Sequence, residues 1–448
     1  MISEKKPTKF NKPAFFEKKK QSRTPEKKKT EFVQKNKPEL EGNIKLPSRL
    51  ERLIEQYIEN KTGKSLDTPI TLERIRQSVL AQKAGYWNKN PQGKYGKGYD
   101  VFAYLAYQAP GYIIQFRHIL KILGSHKMLP KDVSILDLGT GPGVVPLALI
   151  WHLKEKNAGS ITINVIEQSE EFIEAFKYLI PEFASSSPVK TGLILHEDLR
   201  NSDHDIPDNL TLITCQNVMA ELPGMSIDEK TSLLMKYVSH LSDDGFLILV
   251  EPAELRHATQ LRILQKKLEA SGLFLYAPCR YLHEGQCNPE TCWSFIELSL
   301  MKSTRLMDLL AGEKEGYRFR NTDIKFSYSI LTKKPRIKPI PSHVLRDTVP
   351  LCALQDNLGE WVSIAGAKMS MDIGDKEFAV YMICDGSTAE KVYLIIPRSL
   401  RTEEIKTART AKYGDLIKIY DVRVRWNPKK NSYNLISGMR TRVIAMNI

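Results

Sequence analysis

The sequence predicts an α/β protein: an open, doubly wound, Rossmann-like sheet, preceded by a cap of helices and followed by a small OB-like β-barrel. Three observations point there. From Val133 onward, short apolar runs ("VSILDLG", "ITINVIE", "LTLITCQ", "GFLILVEP", "LFLYAPC", "IKFSYSILT") alternate with amphipathic stretches such as "SEEFIEAFKYLI" and "RHATQLRILQKKLEA". Apolar strands separated by helices are the pattern of a mostly parallel sheet covered on both faces, wound by right-handed crossovers. Before that region apolar residues recur at helical spacing, and after "KKPRIKPIP" five strand-like segments follow one another between turn signals.

The elements follow in chain order. Residues 1–45 hold fourteen Lys/Arg against six Asp/Glu, with runs at Lys18-Lys19-Lys20 and Lys27-Lys28-Lys29. They read as a disordered basic arm suited to a polyanion. A helical cap is expected over 46–130. "LPSRLERLIEQYIEN" places Leu50, Leu53, Ile54, Tyr57 and Ile58 on one face. "TLERIRQSVLAQKAGYW" repeats the habit, with Thr71 as its expected N-cap. The Tyr-rich "YDVFAYLAYQAPGYIIQFRHILKIL" closes the cap, either as a lid over the core or as a cover for its edge.

The sheet occupies 131–335. Its last two strands are expected to run antiparallel, because residues 279–323 between them form an insertion in place of a simple crossover helix. The barrel spans 344–448, with strands at "WVSIAGAKM", "EFAVYMICD", "KVYLIIPRSL", "DLIKIYDVRVRW" and "SYNLISG". Residues 414–448 carry seven Lys/Arg against two Asp, with Tyr420, Trp426 and Tyr433 interleaved. Basic groups beside stackable rings suit single-stranded nucleic acid. The same rings would serve equally as barrel core.

The 448 residues carry a formal net charge of +14. There is no run of eighteen apolar residues and no signal-peptide pattern, so a soluble protein of a prokaryotic cytoplasm is expected, with no membrane partner. Six cysteines in such a chain do not form a disulfide framework. Three of them fall within "CRYLHEGQCNPETC", which points to metal.

The most informative stretch is "ILDLGTGPGVV". Asp137, Gly139, Gly141 and Gly143 stand where a strand ends and a helix begins. Glycines there let the backbone turn tightly and approach a ligand without Cβ obstruction. A carboxylate two positions before the first glycine would serve a pyrophosphate poorly, and a sulfonium with an amino-acid ammonium well. Glu167 ends the next strand, placed for ribose hydroxyls, and Asp198 in "LHEDLRN" is placed for an adenine amino group. Together they outline an S-adenosylmethionine pocket, and the sheet becomes a Rossmann-like class I methyltransferase sheet. Methyl transfer asks mainly for alignment and exclusion of water. The N/D-P-P-Y/F motif of base-amine methylation is absent. "CQNVMAELPG" follows the fourth strand, and its Asn217 and Glu221 are the candidates for an acceptor site.

"LDLGTGPGVVPLAL", "CQNVMAELP", "LILVEPAE", the cysteine stretch ending "CWSF" and "KFSYSIL" occur in an order that resembles the Rsm-type methyltransferase-like family of ribosomal small-subunit proteins. The likeness covers residues 47–345. It implies a role in small-subunit assembly, contact with ribosomal RNA and a four-cysteine iron–sulfur site. Position by position, the family's first ligand falls on Cys279, which lies four residues before His283 where the family pattern has two. Cys287 follows the His283-Glu284 pair as the second ligand does, Cys292 fits the third, and Cys352 in "VPLC" matches the fourth.

Two metal sites therefore compete. Cys279, Cys287, Cys292 and Cys352 would hold a [4Fe–4S] cluster through thiolates. Cys279, His283, Cys287 and Cys292 would make a local zinc site. The expected function is methylation of small-subunit ribosomal RNA, or assembly of that subunit by a factor that keeps the pocket without turnover. The expected partner is the small ribosomal subunit or its rRNA, with no DNA, and the chain is expected to be monomeric off the ribosome.

Overall fold

The computed structural model describes residues 44–446, except 87–97, 157–158, 186, 202–204, 223, 284, 313–315, 337–339, 342 and 344. The basic arm expected over 1–45 falls outside the described residues but for Ile44 and Lys45, and so does Glu284.

The cap begins with α1 (Ser48–Thr62), whose five predicted apolar residues are all buried, and Gly63 in the left-handed conformation ends it. Helix α2 (Pro69–Tyr86) starts two residues before the expected cap. Thr71 lies inside it, and the carbonyl of Thr68 receives the first backbone bonds, from Thr71 and Leu72. Pro69 is the reason: its fixed φ suits the first helical position, where a missing N–H costs nothing. Helix α3 (Tyr99–Ala103), a π-helical turn (Tyr104–Gln108) and α4 (Ala109–Ser125) run on from one another. Asn321 Nδ2 donates to the carbonyl of Tyr107 in the π turn at 3.1 Å.

The sheet holds β1 (Val133–Leu138), β2 (Ile161–Glu167), β3 (Val189–His196), β4 (Leu210–Gln216), β5 (Leu241–Pro252), β6 (Phe274–Ala277), β7 (Ile296–Glu297) and β8 (Lys325–Thr332). Its order is β3-β2-β1-β4-β5-β8-β6, with the two-residue β7 paired to β8. The first five strands are parallel. As expected, β8 runs antiparallel to β6, and also to β5, between which it is inserted. Helices α5 (Val144–Lys156) and α6 (Glu170–Ala184) share one apolar core with the cap. Helices α7 (Ile227–Val238) and α8 (Leu255–Ala270) cover the other face, and α9 (Arg305–Ala311) lies in the insertion before β8. This is the Rossmann-like class I methyltransferase sheet. Strand order reverses between β1 and β4, so their carboxyl ends open a crevice.

Five strands close the C-terminal barrel: β9 (Trp361–Lys368), β10 (Phe378–Cys384), β11 (Lys391–Pro397), β12 (Leu416–Asn427) and β13 (Ser432–Ala445). They follow the order β10-β11-β13-β12-β9, and α10 (Glu403–Thr410) joins β11 to β12. Each overlaps one predicted segment, although β13 runs past "SYNLISG" to Ala445. Alternate residues such as Val362, Ile364, Ile417, Ile419, Val424 and Leu435 fill the interior. Ala367, Met369, Met382 and Tyr413 instead join the core of the sheet, so barrel and sheet share apolar surface.

Candidate cofactor pocket and cysteine cavity

Asp137 is the next-to-last residue of β1 and is 1% exposed. Its neighbour across the ladder is Thr214 of β4, whose hydroxyl donates to Asp137 Oδ1 at 2.6 Å. The other oxygen, Oδ2, is buried without a partner. Burial pushes the carboxyl from its ordinary 3.8 up to about 7. A carboxylate oxygen with free lone pairs in a water-poor recess is a receptor for a cation.

Gly139, Gly141 and Gly143 have φ of +68°, +55° and +91°. A Cβ on Gly139 would fall 2.6 Å from Val218 Cγ2, and one on Gly143 would fall 2.9 Å from Phe176 Cδ2. The first contact shows how closely the loop after β4 presses on the glycine turn. Glu167 ends β2 and accepts from Gly141 N and Ser169 N, both at 2.8 Å. Its carboxylate thus fixes the turn, with one further lone pair on each oxygen left for hydroxyl donors. Burial raises its pKa despite those two bonds.

Asp198 lies beyond β3, where Arg200 grips it: Nε reaches Oδ1 at 2.9 Å and Oδ2 at 3.0 Å. Those bonds hold its carboxyl below the ordinary value. The residue expected to meet an adenine amino group is therefore committed first to an ion pair. Asn217 is buried at the end of β4 with φ +58°, and neither its amide oxygen nor its amide nitrogen has a partner. Left-handed backbone on a non-glycine residue beside orphaned polar atoms marks a site held ready for a ligand. Glu221 ends the short 3-10 turn Met219–Glu221, exposed at the rim.

Three side chains that the sequence did not single out complete the pocket. Tyr104, at the start of the π turn, sits beside Gly141, since a Cβ there would be 3.8 Å from its hydroxyl. Its ring lies 6.0 Å from that of Tyr112 and 5.0 Å from that of Phe172. Burial raises its pKa, and so does the negative field of Tyr112, Glu221, Glu167 and Asp137, which places these groups around one space. Glu251, near the end of β5, is buried, accepts from Met219 N at 3.0 Å and keeps Oε2 without a partner. Burial pushes it up to about 7. The Tyr-rich text of the cap was the available signal for the tyrosines; nothing in the sequence set Glu251 apart from other strand-end acids.

The cysteines form a second site. Cys279, Cys287 and Cys292 line a cavity of about 60 Å³, and the fourth cysteine on its wall is Cys384, not Cys352. Cys352 is exposed at the start of a 3-10 turn (Leu351–Asn357), and His283 does not line the cavity. The cause is barrel topology. The insertion pairs with the turn after β10: Leu282 N donates to Asp385 O at 2.8 Å and Gln286 N to Ser387 O at 3.3 Å. That seam brings the last residue of β10 against the three clustered thiols. Among the described residues no group of three His, Cys, Asp or Glu side chains could hold a metal ion.

Arg262 of α8 also lines this cavity and is 2% exposed. Its guanidinium donates to Gln265 Oε1 (2.7 Å), Tyr328 O (2.9 Å), Ser329 Oγ (2.9 Å), Ser294 Oγ (3.2 Å) and the Tyr413 hydroxyl (3.4 Å). Every acceptor is neutral, and among the described residues it forms no ion pair with a carboxylate. A buried cation without a counter-charge costs several kcal/mol. The cavity wall therefore favours an anionic occupant.

The family model described as "Domain of unknown function (DUF8157) C-terminal domain" matches residues 352–446. No curated protein matches the chain. Several solved structures are similar to it. A provisionally named S-adenosylmethionine-dependent methyltransferase from Methanococcus maripaludis is 18% identical over 36% of this chain, with a TM-score of 0.25; this chain covers 63% of its length. A TehB-like methyltransferase from Corynebacterium glutamicum is 16% identical over 50% of this chain and all of its own, with a TM-score of 0.27. A methyltransferase from Geobacter sulfurreducens, solved with S-adenosyl-L-homocysteine, is 13% identical over 48% of this chain and 91% of its own, with a TM-score of 0.28. No helix among the described residues is long and apolar enough to cross a membrane.

Proposed function

We propose that this protein binds S-adenosylmethionine in the crevice between β1 and β4 and acts on the small ribosomal subunit or its RNA, as its sequence resemblance suggests. One observation carries the cofactor reading: the buried, partnerless Oδ2 of Asp137 beside three glycines at positive φ. The sulfonium of the bound cofactor supplies an already activated methyl group. The chain's own residues supply the rest. Asp137 receives the amino-acid ammonium, the glycine turn gives the cofactor room against the backbone, and Glu167 accepts from the ribose. The cap brings Tyr104 and Tyr112 to the pocket and keeps water from it. Asn217, with both amide atoms available, is the residue suited to orient an acceptor group.

We further propose a [4Fe–4S] cluster on Cys279, Cys287, Cys292 and Cys384, the four cysteines that line one cavity. A cluster with four thiolates would carry the negative charge that Arg262 lacks. Zinc on Cys279, His283, Cys287 and Cys292 fits less well, because His283 is off the cavity wall. The cluster would tie the insertion to the barrel, a structural task; methyl transfer asks for no electrons.

Isothermal titration with S-adenosylmethionine and S-adenosylhomocysteine tests the pocket: the native chain binds both and the Asp137→Ala chain loses at least about tenfold in affinity. No binding by natively folded protein would refute the reading. Incubation with labelled cofactor and immature small-subunit particles then separates an RNA methyltransferase from an assembly factor that retains the pocket.

A further inference from the structure

The outer face of the barrel carries a surface that the cofactor pocket leaves unexplained. OB-type barrels commonly take their ligands on the second and third strands. Here that side is occupied, because β10 and β11 give Met382, Cys384, Lys391 and Val392 to the cysteine cavity. The open side is β9, β12 and β13.

Two rings lie on it. Trp361, at the start of β9, is 46% exposed. Its indole reaches across to β13 and lies against Gly438, where a Cβ would come within 2.9 Å of Trp361 Cη2. The absence of a side chain at 438 is what lets the ring settle on the sheet. Tyr420 of β12 stands opposite Arg442, with the Arg442 guanidinium and the Lys418 ammonium each 5.1 Å from its ring centre. Between these rings the ladder of β12 and β13 jumps, from Tyr420↔Arg442 to Val422↔Ser437. The looped-out residues 438–441 are held by Thr441, whose hydroxyl donates to Asp421 O (2.6 Å) and accepts from Gly438 N (2.8 Å). This bulge pushes Met439 into solvent, 82% exposed, and sets the Arg440 guanidinium 6.0 Å from the Trp361 ring centre.

The face also carries four arginines. Arg423, Arg425, Arg440 and Arg442 form no ion pair with a carboxylate among the described residues, and Arg423 Nε donates to Gly359 O at 3.0 Å. Guanidinium groups around aromatic rings match a chain of phosphates and unstacked bases. Trp426 and Tyr433 do not contribute: they meet edge to face with ring centres 4.8 Å apart, and Tyr433 belongs to the barrel interior.

We propose that the β9–β12–β13 face of the barrel binds single-stranded RNA, with bases stacked on Trp361 and Tyr420 and phosphates held by Arg440, Arg442, Arg423 and Arg425. This deepens the RNA side of the function proposed above and is independent of its cofactor pocket.

The test uses the full chain, because the lysine-rich residues 1–43 will also attract RNA. The probe is a labelled oligouridine of about twelve nucleotides, a length that spans one such barrel. Ultraviolet crosslinking with peptide mapping should place crosslinks at Trp361 or Tyr420. Trp361→Ala should weaken binding about tenfold, the size of one lost base stack. Gly438→Ala, which adds no charge and removes no ring, should weaken it in the same direction by lifting the indole. Arg440→Ala/Arg442→Ala should lower the slope of log affinity against log salt by about 1.4. Lys177→Ala/Lys190→Ala, exposed on α6 and on β3, controls for net charge. Crosslinks confined to residues 1–43, or unchanged affinity in all three barrel variants, overturn the proposal. Cofactor titration on the same samples keeps the two readings apart: loss of RNA with cofactor binding intact supports this face, and RNA crosslinked at Trp361 without cofactor binding overturns only the pocket.

Discussion

Thr214 donates its hydroxyl to one carboxylate oxygen of Asp137 across 2.6 Å and leaves the other oxygen buried and alone. This asymmetry makes the pocket sensitive to pH. The folded carboxyl titrates at about 7 and an unfolded one near 3.8. Between those values the unfolded chain has lost the proton that the folded chain keeps, so the unliganded protein loses stability as pH rises through that window. A cationic ligand reverses the preference. Affinity for S-adenosylmethionine should rise with pH up to about 7 and then level, with proton release visible as a buffer-dependent binding heat. Thr214→Val removes a bond that favours the ionised form and should move the levelling point upward.

The glycine turn should tolerate no side chain. Gly139→Ala meets both a positive φ and Val218 Cγ2 at 2.6 Å. Strain and overlap together should cost about 2–4 kcal/mol. Thermal unfolding should show that loss, and cofactor titration should show no binding. Gly139→Ala/Val218→Ala should recover part of the stability but not the part due to backbone conformation.

Cysteine substitutions should separate Cys384 from Cys352. After anaerobic purification, Cys384→Ala should lose the visible absorption and the stoichiometric sulfide of a cluster, whereas Cys352→Ala should keep both. Equal loss in the two proteins would contradict the fourth position assigned above. Because Arg262 brings a buried positive charge with only neutral acceptors to the cavity, Arg262→Gln should weaken binding of the proposed cluster. Iron content after anaerobic purification would then fall relative to the native chain.

The seam between insertion and barrel is tight at Gly386, whose φ is +84° and where a Cβ would fall 2.4 Å from Tyr281 Cδ1. Gly386→Ala should loosen it. Maleimide labelling of Cys279 in metal-free protein should become several-fold faster, while the cofactor pocket, built on β1 and β4, should keep its affinity.

Much of the sheet and the glycine turn could be read from the chain, because Asp137 to Gly143 form a local pattern and the strands announce themselves by apolar runs. The five barrel strands were legible for the same reason. Thr71 misled because Pro69 starts its helix earlier. Cys384 could not be found, because its meeting with Cys279 is decided by how β10 closes the barrel and pairs beyond it, a relation with no signature in neighbouring residues. Cys352 has a more suggestive place in the sequence but does not line the cavity. Trp426 and Tyr433 look like a binding motif, yet the pleat turns Tyr433 inward. Trp361, outside the basic stretch, opens β9 and lies exposed against Gly438 of β13.

The placement of Cys384 has a further consequence for biogenesis. Three thiols leave the ribosome with the insertion, and their companion emerges only after the linker and the first two strands of the following domain have been made. Until then the clustered trio has no fourth donor and the buried guanidinium beneath it has no counter-ion. A cluster on these four sulfurs, as proposed above, could therefore form only once β10 has met the insertion, and a chain truncated in the linker should yield a sheet that folds but holds no cluster.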